Sequence, residues 1–386
     1  MHATGLVHEV RKQAQAAGHE VTVCALGGGG IEEAGVTLVG DNRGLSSIGL
    51  LEALPLVLPT LRLQAQVRAF LRDQPPDLVI LIDYPGVNIP FGRYLKRQYG
   101  CPVVYYVPPN EWLWNEARTP ALCAISDAIL CTYPREAGYF QGAGGSVQMV
   151  GHPLLDAVAS KPDRPAARAA LGVSAGTLVV ALLPASRPQE VRHVWPVLAR
   201  AAQAVQEEWA SSGDCPLRFF IPVVSSDLEN AIRESLQSYS IEATIWKGDS
   251  HTVLAAADLA LTKSGTVNLE LALFQVPQVV VYRIDAVTAW LARTLFHFSV
   301  PHISLVNLIL EEPLVPEFIQ DAARPEDVAA AALGLLRNQR GARDTVLDGY
   351  RRLSALLGGP GAAGRAAATI LTMMTERKIR TSITII

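Results

Sequence analysis

The run Ser264-Gly265-Thr266-Val267-Asn268-Leu269-Glu270 separates two apolar stretches, Thr252–Leu261 and Leu271–Val281. A strand candidate, Leu259–Thr262, leads into it, and another, Gln278–Tyr282, follows after helix-like residues. Strand, small-residue turn, helix and strand is the order of a parallel sheet, whose neighbouring strands need a crossover rather than a hairpin. Such a turn falls at the C-terminal edge of the sheet, where open α/β folds place their ligands. A helix opening there has unpaired amides and a favourable dipole end, which suits a phosphate group. Ser264 and Thr266 add hydroxyl donors, and Gly265 lets the backbone come close. Glu270 lies one helical turn past Thr266, so it can face the same ligand and accept two hydrogen bonds from a diol such as a ribose edge. Plain helix capping explains the same residues, since Ser or Thr followed by an acid is common at helix starts.

The same order repeats along the whole chain. Val21–Leu26, Leu78–Ile82, Val103–Val107, Ala128–Thr132 and Val147–Val150 are short, nearly continuous apolar runs, as expected of parallel strands covered on both faces. A break at Gly151-His152-Pro153 and a charged, proline-rich stretch, Lys161–Pro165, precede a second series: Thr177–Leu183, Leu217–Pro222, Ile241–Trp246, Leu259–Thr262 and Gln278–Tyr282. At 386 residues the chain is too long for one ordinary core. We therefore expect an α/β protein of two doubly wound, Rossmann-like domains facing across a cleft, with domains at 1–158 and 166–360. Residues 361–386 form a C-terminal helix and tail, and the apolar, β-prone Ile379–Ile386 needs something to pack against, either the first domain or a second copy in a homodimer.

Bulk properties exclude several classes. The formal net charge is −3 with no basic block, which argues against a nucleic-acid partner. The five cysteines are scattered and never form a C-x-x-C pair, so neither a disulfide framework nor a zinc site is expected. No metal site is suggested by the His, Cys and acid spacings. No stretch reaches the roughly 18–20 apolar residues of a membrane span. The chain opens directly into a helix, Ala3–Ala17, followed by the strand His19–Ala25, whereas such a domain usually begins with a strand and a Gly-rich turn. The first domain is accordingly expected to lack its leading strand.

Other candidate residues sit where strands end. Asp83, after Leu78–Ile82, is placed to act as a general base or to cap the next helix, and Asn88 to orient a sugar hydroxyl or cap the turn. Arg187, in Pro184-Ala185-Ser186-Arg187, is a natural counter-charge for a phosphate leaving group or a partner for Glu190. Pro109–Trp114 offers a carbohydrate-lining wall or packing, His152 a ligand contact or a hinge lock, and Trp246–Asp249 a nucleobase frame. Leu50–Leu61, with two prolines and one acid, reads either as a kinked core helix or as an apolar lip meeting lipid, with Arg62, Arg68 and Arg72 just beyond.

The combination of Ile82–Asn88, Val150–Asp156, Leu183–Arg187, Ser264–Thr266 with Leu269-Glu270, Tyr282-Arg283 and Leu305–Ile309 resembles lipid-A-disaccharide synthase over nearly the whole chain. The resemblance implies a membrane-peripheral, inverting glycosyltransferase of GT-B architecture, working in the cytoplasm on the inner face of the inner membrane. It would move 2,3-diacylglucosamine from UDP-2,3-diacylglucosamine to the 6-hydroxyl of 2,3-diacylglucosamine 1-phosphate, releasing UDP and needing no metal or other cofactor. It further implies Asp83 as the essential acid, Arg187, Ser264, Gly265, Thr266 and Glu270 as UDP-facing positions, and Asn307 as part of the C-terminal motif. The chain departs from the family pattern in three places. The Gly-Glu-x-Ser-Gly-Asp segment before the first helix is absent, Ala185 replaces a glycine, and the aromatic run is altered to Asn110–Trp114. A UDP-N-acetyl sugar epimerase or transferase on a soluble substrate, and a non-catalytic UDP-sugar or lipid-binding homologue, stay open as alternatives.

Overall fold

The computed structural model describes residues 2–28, 31–41, 54–113, 116–184, 188–212, 215–285, 302–377 and 382–386. The chain divides into two compact units: Met1–Ala157 with Leu356–Ile386, and Val158–Ala355. Each is built on its own parallel sheet.

In the first unit the strands are β1 (Thr22–Gly27), β2 (Thr37–Asp41), β3 (Leu78–Ile82), β4 (Val103–Tyr106), β5 (Ala128–Cys131), β6 (Val147–Met149) and, from the far end of the chain, β13 (Ser382–Ile385). Among the described residues they run in the order β2-β1-β13-β3-β4-β5-β6, every pair parallel. The position between β1 and β3 is held by the C-terminal strand. Ile383 pairs with both Val23 and Leu78. Its side chain and that of Ile385 enter a core shared with Val23, Ala25, Leu78 and Ile80, capped by the helices His2–Ala16 and Ala362–Glu376.

The Val150–Asp156 motif explains how that C-terminal segment is tied down. Asp156 accepts hydrogen bonds from the amides of Gly361 and Ala363 at the start of the Ala362–Glu376 helix. Arg365 Nε donates to the Val150 carbonyl at 2.7 Å, and the His152 amide donates to Leu357 O at 3.0 Å. The His152 ring accepts from the Leu154 amide, opening the Leu154–Ala159 helix. In this structure the motif is a clasp within the first unit.

In the second unit the strands are β7 (Leu178–Leu183), β8 (Leu217–Pro222), β9 (Ala243–Trp246), β10 (Leu259–Lys263), β11 (Gln278–Tyr282) and β12 (Glu317–Ile319). They run β12-β11-β10-β7-β8-β9, all parallel among the described residues. The chain winds outward from β7 through β8 to β9, then returns to lay β10 on the other side of β7. The order reverses between β7 and β10, so the crevice of this sheet lies at their C-terminal ends. Those ends lead into residue 184 on one side and Ser264 on the other. At the opposite edge, Asp258 accepts from Arg168 at 3.3 Å, from Arg164 and from the Val179 amide at 2.9 Å, fixing where β7 and β10 begin.

Candidate functional site

Lys263 ends β10 with its Nζ 2.8 Å from Glu190 in the first turn of the Pro188–Ser211 helix. The turn after it is built from beneath by Asn268, a wholly buried residue. Its Oδ1 accepts from the Gly265 amide at 2.8 Å, and its Nδ2 donates to the Lys263 carbonyl at 3.2 Å and to Gln278 Oε1 at 2.9 Å. Gln278 in turn donates to Tyr350 Oη and to the Asn268 carbonyl, both at 3.0 Å. This satisfied network holds the turn in one shape, as buried polar networks do.

The short Val267–Leu273 helix follows, and a pocket of about 220 Å³ opens beside it. Gly265, Thr266, Glu270 and Lys263 line that pocket together with apolar Leu183, Val224 and Leu254. Three of the residues expected to face a nucleotide are thus brought together. Ser264 behaves differently: its hydroxyl donates to the Ile303 carbonyl at 2.7 Å, so it braces the turn. Asn307 is buried, and its amide is engaged at 2.9 Å by both the amide and the carbonyl of Val315. It fixes the Leu305–Leu310 helix to the following segment. Arg187 lies outside the described residues. Trp246 folds back on its own loop, with Nε1 donating to Asp249 O at 3.1 Å, and a Cβ on Gly248 would stand 2.8 Å from the indole.

Glu270 carries a partner that sequence reading missed. His251 Nε2 lies 2.9 Å from Glu270 Oε2, with the histidine side chain 5% exposed and the carboxylate 13%. The two residues are 19 apart in the chain, on different helices, so no local pattern links them.

In the first unit Asp83 follows β3 at the same kind of edge. Asp83 and Tyr84 both take left-handed backbone, with φ of 49° and 42°, and Val107 after the neighbouring β4 does so at 52°. Positive φ is uncommon for any residue with a Cβ and costly for a β-branched one, and such strain concentrates at functional edges. Here it is held by cross-bonds: Asn88 Nδ2 donates to the carbonyls of Ile82 and Asp83, each at 2.9 Å, and Tyr105 Oη donates to the Asp83 carbonyl at 2.6 Å. Asn88 therefore shapes the turn. The Asp83 residue surface is exposed, yet the surrounding protein desolvates the carboxyl and raises its pKa above the ordinary value, with an opposing hydrogen bond from the Tyr84 amide. Glu136, wholly buried, accepts from the Thr132 amide at 2.6 Å and the Thr132 hydroxyl at 3.1 Å. Desolvation, with a smaller contribution from the Asp83 charge, pushes its pKa up to about 8. Nothing in the local sequence marks Glu136 as buried.

The aromatic wall proves to be packing where it is described. Trp112 is buried and stacked on Tyr139 at 4.3 Å between centroids, with Arg135 Cζ 5.3 Å from its ring. Trp114 lies outside the described residues. Of Leu50–Leu61, residues 50–53 also lie outside them. The remainder is a short turn and the start of the Val57–Asp73 helix, whose prolines fall before and within its first turn, where proline is tolerated. The helix buries Leu63, Val67 and Leu71 and leaves Val57, Leu58 and Leu61 at 50%, 66% and 54% exposure. Where it is described, the stretch carries an exposed apolar face on a helix whose other face is buried. Arg62 is exposed beside Leu61, Arg72 is exposed in the last turn of the same helix, and Arg68 sits 4.5 Å over the Tyr94 ring. Among the described residues no helix is long and apolar enough to cross a membrane, and no His, Cys, Asp and Glu cluster could hold a metal ion.

Comparison with known proteins gives a consistent result. A family model described as lipid-A-disaccharide synthetase matches residues 1–357. The lipid-A-disaccharide synthase of Gloeothece citriformis is 42% identical over 369 residues, covering 95% of this chain and 94% of that protein. That of Prochlorococcus marinus is also 42% identical, over 376 residues, with the same coverage of 95% and 94%. Among solved structures, the S. aureus MnaA–UDP complex superposes with a TM-score of 0.65 at 14% identity, covering 99% of this chain and 96% of that one. A likeness at that identity speaks for the fold alone.

Proposed function

The chain belongs to the lipid-A-disaccharide synthase family, and from that premise we propose that it transfers 2,3-diacylglucosamine from its UDP donor to the 6-hydroxyl of 2,3-diacylglucosamine 1-phosphate. The products are a β-1,6-linked disaccharide phosphate and UDP. The observation that carries this reading is the 42% identity sustained over 95% of the chain. The pocket beside Gly265, Thr266 and Glu270 supports it as a donor site.

In this reading Glu270 accepts hydrogen bonds from the ribose hydroxyls. The diphosphate lies along the Gly265-Thr266 turn, with Ser264 and Asn307 keeping their segments in shape. The Val267–Leu273 helix is too short for its dipole to neutralise a diphosphate, so positive side chains must contribute. Arg187 is assigned as the main one; Lys263, whose Nζ would lie 3.9 Å from a Cβ on Gly265, has its charge offset by Glu190 and serves as a hydrogen-bond donor. Asp83 is the general base. Its raised pKa makes the carboxylate a better proton acceptor than an ordinary aspartate. It takes the 6-hydroxyl proton as that oxygen bonds to the anomeric carbon, while the bond to the diphosphate oxygen breaks on the opposite face and UDP leaves. Val57, Leu58 and Leu61 meet the acyl chains or the bilayer surface, with the adjacent Arg62 facing anionic headgroups.

Two variants test the division of roles. Asp83→Asn should lower kcat at least ~100-fold, the usual scale of general-base loss, with the Kd for UDP unchanged. Glu270→Ala should weaken UDP binding about tenfold or more by removing a charged acceptor. Loss of UDP binding in Asp83→Asn, or unchanged UDP affinity in Glu270→Ala, would overturn the assignment.

A further inference from the structure

We infer that His251 is a positioning residue for the nucleotide's ribose: its imidazole holds the Glu270 carboxylate in the orientation that distinguishes a ribonucleotide from a deoxyribonucleotide. The inference rests on the reading of Glu270 as the ribose contact.

His251 is the second residue of the Ser250–Ala256 helix, whose cap, Asp249, accepts from the His251 amide at 3.2 Å. That cap and the helix bury the side chain to 5% exposure. The ring lies 5.7 Å from that of Phe274 at a tilt of 40°, which fixes its plane. Nε2 reaches Glu270 Oε2 at 2.9 Å, while Nδ1 is buried, makes no hydrogen bond among the described residues and stands 3.4 Å from Asp249 Oδ1. An ionised Glu270 carboxylate only accepts, so Nε2 is assigned as the donor of this bond.

Nδ1 faces Asp249 only at that longer 3.4 Å, so the short polar contact of the ring is the one to Glu270. A phenylalanine or leucine would fill the space beside Phe274 but could donate nothing to the carboxylate. What the imidazole adds to packing is the 2.9 Å bond to Glu270. Glu270 lines the pocket, so fixing one carboxylate oxygen sets the direction of the other. A glutamate free to rotate would lose that freedom on binding a diol and would discriminate less well. The bond from His251 removes that loss beforehand.

The test is calorimetric titration of the full chain with UDP and with 2′,3′-dideoxy-UDP, for the wild type and for Glu270→Ala, His251→Phe, His251→Gln and His251→Asn. The wild type should prefer UDP, and His251→Phe should lose about tenfold of that preference, the scale of one hydrogen bond to a charged group. Its affinity for the dideoxy nucleotide should stay unchanged, a pattern a merely structural role would not produce. The glutamine amide can donate from near the place of Nε2 and should restore most of the preference, whereas asparagine is too short and should not. An equal ratio in the Gln and Asn variants overturns the inference even if the Phe variant fails to fold. So does equal weakening of both nucleotides in His251→Phe. If Glu270→Ala abolishes the preference and His251→Phe retains it, the inference fails and the ribose reading stands. If the wild type shows no preference, the ribose reading itself fails.

Discussion

Replacing Ile383 and Ile385 together by alanine should unravel the sheet of the first unit. Both side chains are nearly inaccessible, at 1% and 3% exposure, and both pack in the core with Val23, Ala25, Leu78 and Ile80. Each truncation removes buried methyl groups and leaves a cavity, at about 2–4 kcal/mol per site. The two sites share neighbours, so their effects will not simply add, and about 4–7 kcal/mol is a fair range for the pair. Against a typical domain stability of about 5–15 kcal/mol, that is enough to open the unit. The loss is concentrated because β13 pairs on both sides: without it β1 and β3 each have an unpaired edge. Urea denaturation gives the size of the effect, and hydrogen exchange read by mass spectrometry locates it. Amides of β1 and β3 should lose protection while those of β7 and β10 keep it. A destabilisation below ~1 kcal/mol, with β1 and β3 still protected, would refute the reasoning, because a core strand of this kind has no way to lose two isoleucines so cheaply.

Two further outcomes follow from the first unit. Burial raises the Glu136 pKa to about 8, so between the ordinary carboxylate value and pH 8 the folded protein holds a proton that the unfolded chain releases. Stability should therefore fall as pH rises through that window, by at most ~1.4 kcal/mol per pH unit, and chemical denaturation of Glu136→Gln should show a flatter profile between pH 5 and 8. Changing Val57, Leu58 and Leu61 together to serine should weaken sedimentation with anionic phospholipid vesicles by at least ~10-fold, since each loses roughly 1.5–3 kcal/mol of available apolar burial. Unchanged vesicle binding would remove the lip from the account.

Much of this was legible in the sequence, and the reasons differ by element. The strands β3, β4, β5, β7, β10 and β11 are short, nearly continuous apolar runs covered on both faces, so composition alone exposes them. The Ser264 turn could be read as a turn because small residues between two such strands mark a strand-to-helix connection, while its ligand role stayed open beside plain capping. The slot of β13 could not. Its apolar character was visible, but the partners Val23 and Leu78 lie more than 300 residues away in sequence, and pairing at that range leaves no local mark. The edge strands β2 and β12 were missed because half-buried edges lack the continuous apolar signature. In the second unit Glu270 could be singled out from its spacing to Thr266, whereas His251 and Asn268 act through burial and tertiary contact, as Glu136 does in the first unit. Ser264 was read as ligand-facing from its place in the turn, and Asn307 was singled out only by the family resemblance. The bonds to Val315 and Ile303 that engage them depend on tertiary approach.

The central claim is that this chain joins two acylated glucosamine units with inversion. The direct test incubates the purified full chain with UDP-2,3-diacylglucosamine and 2,3-diacylglucosamine 1-phosphate and determines the product by NMR. The account predicts UDP release only when both substrates are present, and a disaccharide phosphate with a β-configured 1,6 linkage. An α linkage, an epimerised donor sugar, or binding of UDP with no disaccharide formed would contradict it.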